Sequence, residues 1–434
     1  MSQHTPTIIP RSEHGISRTN ISENALKVLH RLNKAGHAAY LVGGAVRDLL
    51  LGLHPKDFDI ATDAHPEQVN ELFRNCRLIG RRFRLAHIRY GREIIEVATF
   101  RAAHDDADEK QAGQTQEGRL LRDNVYGDLD SDAWRRDLTI NALFYNIKDF
   151  SVVDYVGGMG DIHARQIRLI GDPETRYRED PVRMLRVLRF AAKLGFEIEH
   201  RTHAPITEFA PMLDEIPSAR LYDEVLKLFH KGHALKSFEV LREHELLGYL
   251  FLQTEDNLHH DPDGYFQRMI SHGLENTDKR VQSGDSVSPA FLYAFLLWGP
   301  LRDVLRADGE RGINNISAII VAAREVFAAQ VEQTAIPRRL SMQTREIWSL
   351  QPRFEQRRGK RPLRLLSQPR FRAAYDFLLL RNQAGEDLQE LCDWWTEFQT
   401  ADDNQRHMVT KTPSRPKRRR RSSRRDDRTE ASDI

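Results

Sequence analysis

Cysteine is nearly absent. Cys76 and Cys392 are the only two in 434 residues, and they lie far apart. So few exclude a disulfide framework and a cysteine-built metal site, and they point to a reducing cytoplasm. Long apolar runs are missing as well. None approaches the roughly 20 residues needed to cross a bilayer. The opening stretch, MSQHTPTIIPRSEHGISR, lacks the apolar centre of a signal peptide. What remains is a polar, charge-rich composition, 40% hydrophobic and 29% charged. The length suits two to four domains around a large buried core.

The net charge of +2 conceals an asymmetry. Residues 401–434 carry 11 Lys and Arg against 6 Asp and Glu, which leaves the first 400 residues at −3. The centre of this tail reads RPKRRRRSSRR, Arg415 to Arg425, with Arg418, Arg419, Arg420 and Arg421 in one block. It offers nothing to bury, so it is expected to be disordered and to attract polyanions such as RNA.

Elements follow from spacing. SENALKVLHRLNKAG reads as a serine-capped helix ending at Gly36, and AAYLVGG as a short buried strand. AVRDLLLG is a short helix, DFDIAT a strand, and HPEQVNELFRN a helix with Pro66 in its first turn. CRLIGRRFRLAHIRYGREIIEVATFR supplies two or three strands with Gly91 at a turn. Residues 102–123 are polar and patternless, a long mobile loop. SDAWRRDLTINALFYNI reads as helix, and FSVVDYVGGMGDIHARQIRLIG as strand, glycine-rich turn, strand. After Gly171 only amphipathic helices are expected, to about residue 400. The fold class is therefore α+β: a small head with a mixed β-sheet, an all-helical region, and a disordered basic tail.

Two features carry chemistry. In LVGGAVRDLLLG a strand runs into Gly43-Gly44 and a helix begins. Glycines let backbone approach a ligand, and a helix start offers unpaired N–H groups, a combination that suits phosphate. Shortly after Arg47 comes PKDFDIAT. Strand alternation sets Asp57 and Asp59 on one face, with Phe58 and Ile60 on the other. Two like charges so close gain nothing on an ordinary surface. With a divalent cation between them the sign inverts, and the pair becomes a template for two-metal phosphoryl transfer.

A third acid is expected, either Glu96 in the apolar strand IIEVATF or Asp137 in RRDLTINALFYN beside Arg135 and Arg136. Water exposure at a sheet edge would equally account for Glu96, and an arginine ion pair for Asp137. In REDPVRMLRVLRF, Asp180 and Arg183 are three apart at a helix start. An acceptor beside a donor matches the edge of adenine or cytosine and rejects guanine and uracil. An ordinary helix-surface ion pair accounts for the spacing equally well. Arg186 and Arg189 continue the row toward triphosphate or RNA.

Taken in order, LVGGAVRDLLLG…KDFDIAT, RRDLTINA, DYVGGMGDI and EDPVRMLRVLRFAAKLGF resemble the class II tRNA nucleotidyltransferase and bacterial poly(A) polymerase family, over roughly Leu41 to Phe196. The resemblance implies a catalytic nucleotidyltransferase head at 1–150, a neck with a base-reading helix at 151–235, a helical RNA-binding body at 236–400, and the tail at 401–434. It implies Asp57 and Asp59 as metal-binding catalytic acids, Asp137 as a functional acid, and Glu96 as a further metal acid. It also implies that Arg135 and Arg136 hold the nucleotide, with Glu179, Asp180 and Arg183 reading the base; Gly43, Gly44, Arg47 and Arg186 are expected from the motifs themselves as further nucleotide contacts.

LIGRRFRLAHI, EIIEVATFR, IPRRLSMQTREIWSLQPRFEQRRGK and FRAAYDFLLLR resemble the poly(A) polymerase branch in particular. Template-independent RNA polyadenylation is therefore expected, with ATP as substrate, Mg²⁺ or Mn²⁺ as cofactor and RNA 3′ ends as partners. The RNA-degradation machinery is a further candidate partner, and CCA addition to tRNA is the alternative activity. FLYAFLLWGP ends in Trp298-Gly299, where a phosphohydrolase motif would show His-Asp, and His259-His260 is read as solvent-facing. In the body, Arg338, Arg339, Arg357, Arg358, Lys360 and Arg361 form a basic cluster suited to single-stranded RNA, while Trp348 and Phe354 are read as core.

Overall fold

The computed structural model describes residues 4–80, 84–102, 126–307, 314–402, 404–406 and 410. The Arg418–Arg421 block, residues 103–123 of the expected loop, and residues 81–83 of the LIGRRFRLAHI stretch lie outside the described residues.

The head is built on one eight-stranded sheet in the order β1-β8-β7-β2-β3-β6-β5-β4. Its strands are β1 (Thr7–Ile9), β2 (Ala39–Val42), β3 (Asp59–Thr62), β4 (Cys76–Ile79), β5 (Leu85–Tyr90), β6 (Glu93–Thr99), β7 (Leu143–Tyr145) and β8 (Val152–Asp154). Only β3 and β6 run parallel within it; the other neighbours are antiparallel, so the sheet is mixed. Alternation gives it two faces. Leu41, Ile60, Leu143, Tyr145 and Val152 point into the main core, where Val28, Leu29 and Leu32 of α1 (Glu23–Lys34) also lie. Val42, Ala61, Phe144 and Val153 point the other way, into a small core with Phe100 and Ala133. Ser22 caps α1 by accepting from Asn24 N and Ala25 N. Helices α2 (Gly44–Leu50) and α3 (Pro66–Leu72) follow their strands as the spacing suggested.

Three local expectations change. The opening segment contributes β1 to the sheet edge. The stretch read as one helix from Ser131 splits into α4 (Leu129–Trp134), a 3₁₀ turn at Thr139–Asn141, and β7. Leu143, Phe144 and Tyr145 are all buried, so β7 is a central strand without polar alternation, which reads like helix. Between β8 and the short strand β9 (Gln166–Ile167) the glycine-rich turn winds into α5 (Gly158–Ala164). Asp154 accepts hydrogen bonds from the backbone N–H groups of Val156, Gly157, Gly158 and Met159 and so starts that helix. Because β8 pairs with β1 and β7, the head sheet extends past residue 150.

Beyond α6 (Pro173–Glu179) and α7 (Val182–Leu194) the regular elements among the described residues are helices, apart from β10 (Glu197–Ile198), which pairs with β9. The main core is continuous from Ile9 to Ala384. A satellite core forms around Phe354, Phe371, Tyr375 and Trp395. Among the described residues no helix is long and apolar enough to cross a membrane, and both cysteines are free.

Candidate active site

Strand register brings the glycine turn and the acids to one end of the sheet. Val42, which precedes Gly43, pairs with Asp59 across β2 and β3. Asp59 in turn pairs with Glu96 across β3 and β6. Phe58 and Ile60 are buried at 6% and 1% exposure, whereas Asp57 and Asp59 are open to solvent, so the alternation expected of PKDFDIAT is present. Asp57 lies just before β3 begins. Glu96 is exposed on an interior strand and sits 3.3 Å from His87 Nε2 on β5. Its exposure therefore comes from the open face of the sheet and not from an edge.

This crowding has an electrostatic consequence. The Asp59 carboxyl is pushed up to about 6, first by the protein crowding around it and displacing water, then by the charges of Glu96 and Asp57, with Arg136 opposing. Arg136 is held for that task. Its Nε and Nη2 donate to Asp132 Oδ2 at 3.1 and 2.8 Å, and its guanidinium lies over the Phe144 ring at 5.2 Å. Arg135 Nη1 lies 3.9 Å from Asp132 Oδ1.

Gly43 has φ 72° and ψ −133°, a conformation open only to glycine at low cost. Helix α2 behind it has only seven residues, so the turn offers close backbone approach more than a developed dipole. Arg47 departs from expectation. It is 2% exposed, donates to Asp48 Oδ1 at 2.8 and 2.6 Å and to Asn141 Oδ1, and lies over the Phe190 ring. Sealed beneath the turn, it braces α2 against the 3₁₀ turn and α7 and does not face a nucleotide.

Asp137 belongs to a charged cluster at the start of the helical region. It accepts from Arg183 Nε at 3.3 Å and pairs with Arg186 Nη2 at 2.6 Å. Burial pushes its carboxyl up, but Arg186, Arg183 and Arg176 together outweigh burial and hold it below the usual carboxylate range. Glu179 Oε2 accepts from Arg183 Nη1 at 2.6 Å and Arg176 Nη1 at 2.9 Å. Arg183 N donates to the Asp180 carbonyl at 3.0 Å, but among the described residues their side chains do not hydrogen-bond each other; Asp180 Oδ2 accepts from Arg220 Nη2 at 2.6 Å. Arg183 Nη2 has no hydrogen-bond partner among the described residues.

Sequence reasoning missed Arg176, whose Nη2 donates to the carbonyls of Arg135 and Arg136 at 2.9 and 2.7 Å. Those targets lie forty residues away, and no local pattern signals them. Asp132 was also missed, although its spacing four before Arg136 was a usable hint. In the body, Arg338, Arg339, Arg358, Lys360 and Arg361 are exposed. Arg357 is half-buried and bonds Glu390 at 2.7 Å. Trp348 and Phe354 are fully buried, and His259 and His260 are exposed.

Among the described residues no three His, Cys, Asp or Glu side chains are drawn up together as a ready-made metal cage. Mg²⁺ does not require one. It is commonly held by one or two carboxylates, with water and substrate phosphate completing its shell. The hard oxygen donors of Asp57 and Asp59, and the cation-seeking charge around them, fit that mode.

Comparison with known proteins places this geometry in a family. Three family models match: a poly A polymerase head domain over residues 39–168, a probable RNA and SrmB-binding site of polymerase A over 195–258, and a polymerase A arginine-rich C-terminus over 311–428. Poly(A) polymerase I of Salmonella typhimurium is 51% identical over 424 residues, covering 96% of this chain and 91% of that one. The CCA-adding enzyme of Lactobacillus helveticus is 37% identical over 222 residues, covering 51% of this chain and 53% of that one. Among solved structures, the CCA-adding enzyme of Bacillus stearothermophilus in complex with CTP superposes with a TM-score of 0.59 at 25% identity, covering 86% of this chain and 80% of that one. The CCA-adding relative matches half of the chain, whereas the poly(A) polymerase match spans nearly all of it. The chain belongs to the poly(A) polymerase I family.

Proposed function

We propose that the acid-lined mouth beside Gly43-Gly44 carries out the polyadenylation reaction of this family, adding AMP from ATP to RNA 3′ ends and releasing pyrophosphate. The observation that carries this reading is the pairing of Asp59 with both Val42 and Glu96. It gathers the glycine turn and the carboxylates at one sheet end.

In this reading Asp57 and Asp59 would hold Mg²⁺, or Mn²⁺ with the same donors, and Glu96 is the adjoining acid. When bound, the metal would lower the pKa of the attacking 3′-hydroxyl and neutralise charge on the departing pyrophosphate. Gly43 and Gly44 let the triphosphate approach the backbone. Arg136 supplies a fixed cation beside the acids, and Arg176 locks the Arg135–Arg136 backbone so that little reorganisation is needed on binding. Asp180 accepts from an exocyclic amine, and Arg183 donates Nη2 to a ring nitrogen. Glu179 and Asp137 orient Arg183, and Asp137 also fixes Arg186. Adenine and cytosine both satisfy this pair. The exclusion of cytosine is therefore assigned to pocket depth set by the GRRFRLAH segment, residues 80–87, since a purine spans further than a pyrimidine.

The functional division follows the same logic: a catalytic head, a neck whose α6 and α7 read the base, and a body whose basic surface binds RNA without reading sequence. A cytoplasmic location suits the two free cysteines.

Incubation with labelled ATP or CTP and an oligonucleotide unrelated to tRNA tests the reading. Long A tails are expected. A short addition confined to tRNA would assign CCA addition instead. Exchanging the residue 80–87 segment for that of a CCA-adding enzyme should admit CTP, and unchanged ATP-only incorporation would remove the pocket-depth argument.

A further inference from the structure

A cavity of about 470 Å³ lies in the head and is lined by Arg11, Ser17, Arg18, Leu26, Tyr145 and Phe150, among others. It is separate from the site above. Tyr145 pairs with Leu41, whereas Val42 pairs with Asp59. Since successive strand residues alternate, Tyr145 points to the sheet face opposite the acids.

Three observations mark this cavity as a built site. Tyr145 is 0% exposed, yet its hydroxyl has no hydrogen-bond partner among the described residues. The hydroxyl lies on the cavity wall, where it can donate to a bound acceptor. Arg11 and Arg18 act electrostatically on that hydroxyl from the rim, and neither is neutralised by a carboxylate among the described residues. Arg11 Nη1 spends one donor on the His14 carbonyl, and the Arg18 guanidinium lies over the Phe150 ring at 4.8 Å, which leaves its in-plane N–H groups available. Asp149, the nearby acid, already accepts from Ser151 N and Oγ. Finally, Phe150 is held at φ 62°, an uncommon conformation for a phenylalanine, while its carbonyl meets His14 Nε2 at 2.8 Å.

Two guanidiniums and a phenol converging on one space select a phosphate oxyanion. The cavity is too large for phosphate alone, and its apolar walls, Leu26 and Phe150, with the outer face of the Arg18 guanidinium, suit a nucleoside. We propose that this cavity binds the phosphate of a nucleotide, either free or within an RNA chain, at a site distinct from the polymerase centre.

The test uses the full chain and three probes: 5′-AMP, adenosine, and an oligo(A) blocked at its 3′ end and carrying a photoreactive base. If the occupant is free nucleotide, calorimetry finds two AMP sites in the wild type and one in Arg11→Ala/Arg18→Ala. If it is RNA, the oligonucleotide labels residues around Tyr145–Phe150 in the wild type and not in the double variant. In either case Tyr145→Phe, which keeps the ring in place, weakens binding at this site about three- to tenfold, and adenosine fails to occupy it. Incorporation of ATP into a short primer is unchanged in all variants, which separates this site from the catalytic reading. An AMP stoichiometry unaffected by the double variant together with no labelling there, or adenosine binding as well as AMP, overturns the proposal.

Discussion

Asp59 of β3 and Glu96 of β6 stand side by side in parallel register, on one face and both open to solvent. Two carboxylates so placed repel, and the fold tolerates the repulsion without pairing Asp59 to an arginine at hydrogen-bond distance. Such a pair stores charge that a cation relieves.

That repulsion separates stability from activity. Glu96→Gln should raise metal-free stability by about 0.2 to 1 kcal/mol while lowering ATP incorporation. Mg²⁺ should raise the melting temperature of the wild type more than that of the variant. Asp59→Asn should abolish incorporation while sparing RNA binding. Thermal melts with and without Mg²⁺, run beside a primer-extension assay, check all of these; retained synthesis by Asp59→Asn would remove the assignment.

Asp137 holds the opposite position, an anion among cations. Replacing it with asparagine leaves Arg183 and Arg186 without their shared partner, and urea unfolding should show a loss of about 2 to 4 kcal/mol. Its carboxyl is held below the usual range, so the folded state binds the proton less readily than the unfolded state. This contribution is present above the ordinary aspartate pKa of about 4 and is lost as pH falls further. If Arg183 reads the base through this support, the variant also raises KM for ATP more than it lowers kcat.

Local patterns were enough for the acids, the glycine turn, α1 and most head strands, because each is set by alternation, caps or glycine within a few residues. They failed at β7, whose three buried residues lack a polar face, and at β1, which is a strand only because β8 lies beside it. The cradle around Arg135 and Arg136 depends on Arg176, a tertiary contact with no sequence period. Arg47 shows the same limit in reverse. Its place in the glycine motif suggested a ligand contact, whereas Asp48 and Asn141 bind it from within. Register, and not spacing, made Glu96 a neighbour of Asp59.

His230 ends the helix Ser218–Phe229 with Nε2 buried and unpartnered. Burial, and then Lys231, lower its pKa from 6.5 to about 4. Above pH 6.5 both folded and unfolded states are neutral there. Between 6.5 and about 4 the unfolded chain takes up a proton that the folded chain refuses, so stability should fall with pH by on the order of 2 kcal/mol. Below that window the residue adds no further slope. His230→Leu should flatten this part of the curve in denaturant titrations from pH 4 to 7. An unchanged slope would show that other groups set it.

The body's basic residues occupy unfavourable places for helix stability. Arg338 and Arg339 open the helix Arg338–Leu350, where the positive end of the helix dipole repels them, and Lys360 and Arg361 stand at the start of the short helix Arg361–Leu366. Helix energetics therefore give no reason for them, whereas a phosphate backbone crossing both helix starts would meet side-chain cations and unpaired N–H groups together. Replacing Arg338, Arg339 and Arg361 with glutamine should weaken oligonucleotide binding. It should also lower the slope of log affinity against log salt by about 2, at roughly 0.7 for each single-strand phosphate contact. It should leave kcat at saturating primer unchanged, because the proposed contacts lie in the helical body and not beside Asp57 and Asp59. An unaltered salt slope would move the RNA path off this surface.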